Sequence, residues 1–226
     1  YKSLLSQAKD LGIRSVWISG EGEPLFNIER FFRLVNLIRD QDLIPVVFSN
    51  GVKIDRKIAR KLNRLNVSVI GKCHSFNPRI NDYIVGRRGI YKYVKVNNVF
   101  VPSHIKYLID EGMTEQNRVA VNTIVNVLNY DEIEYIWRWE RENNLLPFME
   151  FIVLSGFARE NIDLDISREE RIIIHKRIFE LDKELGFEYE FSMGPFLGHR
   201  KCDSRPVIMI DLFGNARVCA CTYLPF

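Results

Sequence analysis

Gly20-Glu21-Gly22-Glu23-Pro24 gathers the residue types that could hold a small polar ligand. Glycine has no Cβ, so its backbone can come close to a ligand with the carbonyls open. A carboxylate beside such carbonyls supplies the acceptors that an amino group or a hydroxyl needs. Pro24 fixes φ at the turn, and Asn27 is placed to cap the helix that follows. Polar and small residues gather again at Ser49-Asn50-Gly51, at Gly71-Lys72-Cys73-His74-Ser75 and at Ser155-Gly156. A further group is of another kind: Cys202, Cys219 and Cys221 are thiols that, as thiolates, iron–sulfur clusters or zinc accept. Cys73 stands apart from them and reads as a small core residue. His74, His104, His175 and His199 form no ligand spacing, and Trp137 and Trp139 read as packing.

The polar clusters other than the cysteines each follow a short apolar run. Residues 16–19, 44–48, 67–70, 118–125 and 148–154 read as strands. The first helix carries Leu4, Leu5, Ala8 and Leu11 and stops at Gly12; the second, near 28–40, carries Phe31, Phe32, Val35 and Ile38. Asp55 can cap a helix bearing Ile58, Ala59, Leu62 and Leu65, and Asn129-Tyr130-Asp131 leads into one bearing Ile133, Ile136 and Trp137. Residues 76–112 are less regular, with a helical part over either 93–100 or 105–111 and Pro102 interrupting. Ser167-Arg168-Glu169-Glu170 has the form of a capping box, and the helix it opens ends at Gly186.

Apolar strands alternating with helices predict an α/β protein with a parallel sheet. The four polar clusters fall at the C-terminal ends of strands, the edge where a parallel α/β barrel carries its active face. One ligand site assembled from several strand ends is expected. After Gly186 the pattern changes: 207–212 and 216–220 flank Phe213-Gly214-Asn215 as a hairpin, in a separate module over 195–226.

Composition narrows the classes. The chain has 226 residues, 46% of them hydrophobic and 27% charged, enough for one substantial core. A formal charge of +3 without a long basic run argues against a nucleic-acid surface. No apolar stretch reaches the roughly 20 residues of a membrane helix. Four cysteines in a chain of this length make no disulfide framework, which fits a reducing, cytoplasmic setting.

In order and spacing, these motifs resemble the radical S-adenosylmethionine enzymes. Gly20-Glu21-Gly22-Glu23-Pro24 is similar to that superfamily's Gly-Gly-Glu-type motif, and Ser49-Asn50-Gly51 to its Thr-Asn-Gly. The final hairpin resembles the auxiliary-cluster extension called SPASM or, when shorter, twitch, which opens Cys–spacer–Gly–x4–Cys. Here Cys202 is followed by eleven residues, Gly214, four residues and Cys219.

The resemblance implies a partial (β/α)6 TIM-like barrel over 1–194 and a Cys-containing β-hairpin extension over 195–226. It implies that Gly20, Gly22 and Glu23 contact the methionine ammonium of S-adenosylmethionine. Ser75 and Asn122 would face the ribose or the methionine carboxylate, Lys72 the carboxylate, and the backbone near Leu154 the adenine. Cys202 and Cys219, with Cys221, would hold an auxiliary 4Fe-4S cluster. The implied reaction is reductive cleavage of S-adenosylmethionine to a 5′-deoxyadenosyl radical that abstracts hydrogen from a peptide or small-molecule substrate. An electron donor such as a flavodoxin or ferredoxin would serve it.

One departure stands out. The family's Cys-x3-Cys-x2-Cys is absent, and Cys73, Cys202, Cys219 and Cys221 cannot supply that spacing. Both chain ends read as cut, so the motif and the 4Fe-4S ligands are expected upstream of Tyr1. Two rival readings remain open: a non-catalytic α/β peptide-binding module, and an α/β enzyme with a zinc-stabilised Cys hairpin.

Overall fold

A computed structural model describes residues 1–20, 22–153, 156–187, 208–211 and 213–217. They fall in two compact units, Tyr1–Ile166 and Ser167–Phe226.

In the first unit, α1 (Lys2–Asp10) precedes β1 (Ser15–Ile18), and α2 (Ile28–Arg39) leads to β2 (Ile44–Ser49). Helix α3 (Arg56–Arg64) and β3 (Ser68–Lys72) follow, then α4 (Pro78–Val85) and the strands β4 (Tyr93–Val96) and β5 (Val99–Pro102). Helix α5 (Ser103–Asp110), β6 (Val119–Val125), α6 (Ile133–Glu142) and β7 (Leu146–Phe151) complete it. Five strands form one curled parallel sheet in the order β1-β2-β3-β6-β7, a partial TIM-like barrel of the expected α/β class.

Successive strand residues point to opposite faces. One face carries Val47, Val69, Val119 and Val121, which join Phe32, Val35, Leu62, Ile105 and Leu108 of the helices in the main core. Each such buried side chain contributes about 1.5–3 kcal/mol relative to exposure. The other face carries Trp17, Phe48 and Phe148, whose rings contact in sequence at centroid separations of 5.6 and 5.6 Å. Trp17 remains 54% exposed on that inner face.

The expected caps form. Asn27 Oδ1 accepts from Arg30 N at 2.9 Å, and Asp55 Oδ1 accepts from Ile58 N at 2.7 Å.

Residues 76–112 depart from expectation in two places. Residues 93–100 are not helical: β4 and β5 pair as an antiparallel hairpin with Val96 opposite Val99. Asn97 and Asn98 sit at φ 46° and 71°, the left-handed pair that a two-residue type I′ turn requires. The helix lies in the other option, as α5, directly after Pro102. Helix α4 was not anticipated, although its ends are marked by side chains suited to them. Asn77 Oδ1 accepts from Arg79 N at 3.0 Å, Pro78 occupies the first turn, and Gly86 closes the helix at φ 75°.

In the second unit, α7 (Arg168–Glu184) opens on the expected capping box: Glu170 N donates to Ser167 Oγ at 3.1 Å and Ser167 N to Glu170 Oε2 at 2.7 Å. The expected hairpin is present as β8 (Met209–Ile210) paired antiparallel with β9 (Ala216–Arg217). Asp211 closes its turn, its carboxylate accepting from Phe213 N and Asn215 N, both at 2.9 Å. Leu154, Ser155, Cys202, Cys219 and Cys221 lie outside the described residues. Among the described residues, no helix is long and apolar enough to cross a membrane.

Candidate functional site

The parallel register sets the strand ends side by side. Ser49 is level with Gly71, and Lys72 is level with Asn122, which is level with Phe148. The loop after β1 therefore neighbours the loop after β2. Gly20 and Gly22 adopt φ 122° and 100°, and among the described residues nothing lies within 4 Å of where a Cβ would stand on either. Their backbone is open.

Glu23 joins the two loops. Its Oε1 accepts from Leu25 N at 3.1 Å and from Ser49 Oγ at 2.7 Å, and its Oε2 accepts from Asn50 N at 2.7 Å. Ser49 Oγ in turn accepts from Gly51 N at 3.0 Å. The side chain thus caps the short 3-10 turn Pro24–Phe26 and ties β1 to the end of β2. A carboxylate has about four acceptor positions; donors among the described residues occupy three, which leaves one on Oε2. Ser49 and Asn50 were legible as a motif, but their bonds to Glu23 were not.

A second group lies along β3, β6 and β7. Asn122 is 2% exposed, and its Nδ2 donates to Glu150 Oε2 at 2.7 Å and to Phe148 O at 3.3 Å. The ammonium of Lys72, a half-buried residue level with Asn122, has no hydrogen-bond or ion-pair partner among the described residues. The group therefore presents a cation, an amide and a carboxylate on one face of the sheet. Glu150 was not singled out from sequence. Its signal was a lone carboxylate two residues beyond Phe148 in an otherwise apolar strand.

Ser75 is placed differently. It is fully buried, its hydroxyl donates to Glu132 Oε2 at 2.7 Å, and it accepts from Asn77 N at 2.9 Å. Its polar capacity serves the turn between β3 and α4 and the approach to α6. His74 beside it is also buried, and its Nδ1 accepts from Ile124 N at 3.1 Å, so the proton resides on Nε2. Burial, aided by the Lys72 charge, lowers its pKa from 6.5 to about 3. Cys73 is a core residue, and burial, with Glu140 adding, pushes its thiol far up and away from thiolate chemistry.

Below Gly51 lies His104, 1% exposed. A Cβ on Gly51 would stand 2.2 Å from this ring, and one on Gly71 would stand 3.1 Å from its Nε2. The glycine of Ser49-Asn50-Gly51 is thus required twice, by its φ of 78° and by the imidazole beneath it. Nothing near Gly51 in sequence announces His104.

Among the described residues, no group of three His, Cys, Asp or Glu side chains could hold a metal ion.

No family model matches the sequence, and no curated protein matches it. Solved structures share its fold. One described as native anSMEcpe with bound AdoMet aligns at a TM-score of 0.57 and 15% identity, over 84% of this chain and 53% of that one. Another, native anSMEcpe with bound AdoMet and Cp18Cys peptide, gives 0.58 and 15%, over 82% and 52%. SuiB of Streptococcus suis gives 0.64 and 14%, over 90% and 45%. The chain spans about half the length of these structures.

Proposed function

We propose that this chain forms the S-adenosylmethionine-binding part of a radical S-adenosylmethionine enzyme acting on a peptide or a small molecule. The observation that carries the reading is the Glu23 carboxylate, clamped by Ser49 and Asn50 beside two open glycines, with one acceptor position left. Support comes from the fold, shared with structures solved with bound AdoMet, one of them also with a peptide.

In this reading Gly20, Gly22 and Glu23 accept from the methionine ammonium. Lys72, a cation without an acidic partner among the described residues, meets the methionine carboxylate. Asn122 offers its amide to a ribose hydroxyl. Ser75 acts indirectly, holding the turn that follows Lys72 through Glu132. When bound, the cofactor supplies hydrogen abstraction by a 5′-deoxyadenosyl radical; the protein supplies position and exclusion of water.

The resident 4Fe-4S cluster is another matter. The sequence holds no Cys-x3-Cys-x2-Cys, and Cys73 is buried with its thiol pushed up, so the described residues do not fit that cluster. Cys202, Cys219 and Cys221, in the module over 195–226, are assigned to an auxiliary cluster. A flavodoxin or ferredoxin as electron donor and a cytoplasmic setting complete the proposal.

Calorimetry with two ligands tests it. 5′-Methylthioadenosine lacks the ammonium and carboxylate of S-adenosylmethionine, so the native chain should prefer S-adenosylmethionine. Glu23→Ala and Lys72→Met should each reduce that preference about tenfold or more, the scale of a lost charge-assisted hydrogen bond. An equal preference in native and variant chains overturns the assignment. A second reading, a non-catalytic peptide-binding module, is favoured by the half-open ladder of Trp17, Phe48 and Phe148. Peptide binding with no affinity for S-adenosylmethionine would select it.

A further inference from the structure

Outside the strand rim, a groove of about 690 Å³ runs between α2 and α3. Its apolar surface comes from half-buried Ile28 and from Val52, 41% exposed, over the buried side chains of Phe32 and Ile58. Its wall is cationic: Lys53, Lys57, Lys61 and Arg64 line it. Positions 57, 61 and 64 are spaced i, i+4, i+7, so their side chains form one row along α3. Five of the nine residues of α3 are basic, against a formal charge of only +3 for the whole chain.

Local acids do not neutralise that row. Arg56 pairs with Asp110 at 3.1 Å and Arg60 with Glu111 at 3.3 Å, which uses those two acids on the neighbouring helix end. Asp55, the single acid among the described residues that line the groove, uses its carboxylate to cap Ile58 N. Lys61 Nζ rests 3.8 Å from the centroid of the Phe32 ring. Among the described residues, Lys53, Lys57, Lys61 and Arg64 have no acidic partner. Like charges at this spacing repel, so the row is unfavourable without a counter-charge.

We propose that this groove docks an acidic amphipathic segment of a protein partner, with its apolar side chains on the floor and its carboxylates against the row. An apolar floor flanked by charge is the form in which grooves receive amphipathic helices. A nucleic acid fits less well: it needs a wide basic field or exposed rings for stacking, and Phe32 is buried beneath Lys61. The groove's Val52-Lys53 end directly follows Ser49-Asn50-Gly51, so a docked segment would begin beside the candidate site. The proposal does not depend on which cofactor that site holds.

The probe is a fluorescein-labelled amphipathic peptide of Glu and Leu at helical spacing, followed by anisotropy with the full 226-residue chain. Saturable binding is expected. It should weaken at least tenfold when the Glu residues become Gln, and likewise when the Leu residues become Ser. Lys57→Glu combined with Lys61→Glu and Arg64→Glu should weaken it at least tenfold and confer binding of the matching Lys/Leu peptide. The milder pair Lys57→Gln and Arg64→Gln, whose fold is secure at exposed positions, should weaken it several-fold. Four outcomes overturn the proposal: no saturable binding, equal binding of the Ser-substituted peptide, unchanged affinity in the variants, or tighter binding of a single-stranded oligonucleotide of equal charge.

Discussion

Glu23 is asked to do two things, and substitutions separate them. Three of its acceptor positions hold Leu25 N, Ser49 Oγ and Asn50 N, and one is left for a ligand. Glu23→Gln removes the charge and should weaken S-adenosylmethionine binding roughly ten- to a hundredfold, measured by calorimetry. Ser49→Ala leaves the charge and the Leu25 and Asn50 bonds. It should cost about 1 kcal/mol of stability in thermal melts and less than tenfold in affinity. A larger affinity loss from Ser49→Ala than from Glu23→Gln would reverse the roles. Buried titratable groups give a pH signature. His74 and His104 are both lowered to about 3 from 6.5, chiefly by burial. Between those values the unfolded chain binds protons that the native chain refuses, so stability falls as pH drops from about 6.5 toward 3. Each group adds up to about 1.4 kcal/mol per pH unit. Glu140 acts oppositely: its burial raises its pKa well above 4.5, so its contribution is full below that value and lost as pH rises. Urea midpoints from pH 4 to 8 should show a flatter acid limb for His104→Gln and a higher alkaline limb for Glu140→Gln. The same limbs in native and variant chains would remove these groups from the pH dependence. Glu23 was legible because its carboxylate stands between a glycine and a proline at a strand end, where the backbone can approach a ligand. His104 was not, because its meaning is steric and lies in a glycine far away in sequence.

At the scale of elements, the sequence betrays those whose ends carry special residues. Asn27, Asp55 and Ser167 each cap the helix they were expected to cap, because capping is a local bond between near neighbours. The hairpin β4–β5 was missed because its Val-rich strands fit two periodicities over so few residues, while the decisive signal, Asn97-Asn98, is a turn pair weaker than Asn-Gly. That weakness is testable. Asn98 sits at φ 71°, so Asn98→Gly should stabilise the first unit by about 0.5–1 kcal/mol, and Asn98→Val should destabilise it. Opposite signs in denaturant melts would mean the turn is not of this type. The contact between α5 and the end of β2 invites a paired test. Gly51→Ala should destabilise by about 2–4 kcal/mol, from left-handed backbone strain plus overpacking against His104. Adding His104→Ala should relieve the overpacking and leave the strain, so the double variant should bind S-adenosylmethionine better than Gly51→Ala alone. No such recovery would show that His104 does not govern the loop holding Asn50 against Glu23.

Across the whole chain, the alternation of strands and helices was readable because five apolar runs and the helices between them repeat one unit. The strand order then follows from right-handed, parallel connection of neighbours. What the alternation could not tell is how open the inner face is. Trp17 at 54% exposure and Leu146 at 41% show apolar side chains there that the sheet itself does not cover. The last prediction concerns how far this chain carries the chemistry proposed for it. In the proposed reading, binding S-adenosylmethionine needs Gly20, Gly22 and Glu23 after β1 and the Lys72–Asn122 pair, all among the described residues. Cleaving it needs a reduced 4Fe-4S cluster with three thiolates at close spacing, and neither the sequence nor any described group of side chains offers that set. After anaerobic reconstitution with iron and sulfide and chemical reduction, the 226-residue chain should still bind S-adenosylmethionine but release no 5′-deoxyadenosine by chromatography. Iron held under those conditions should be lost in a variant with Cys202, Cys219 and Cys221 all changed to Ser, and kept in Cys73→Ser. Release of 5′-deoxyadenosine by this chain would mean that its four cysteines hold the catalytic cluster in a pattern unlike the one proposed.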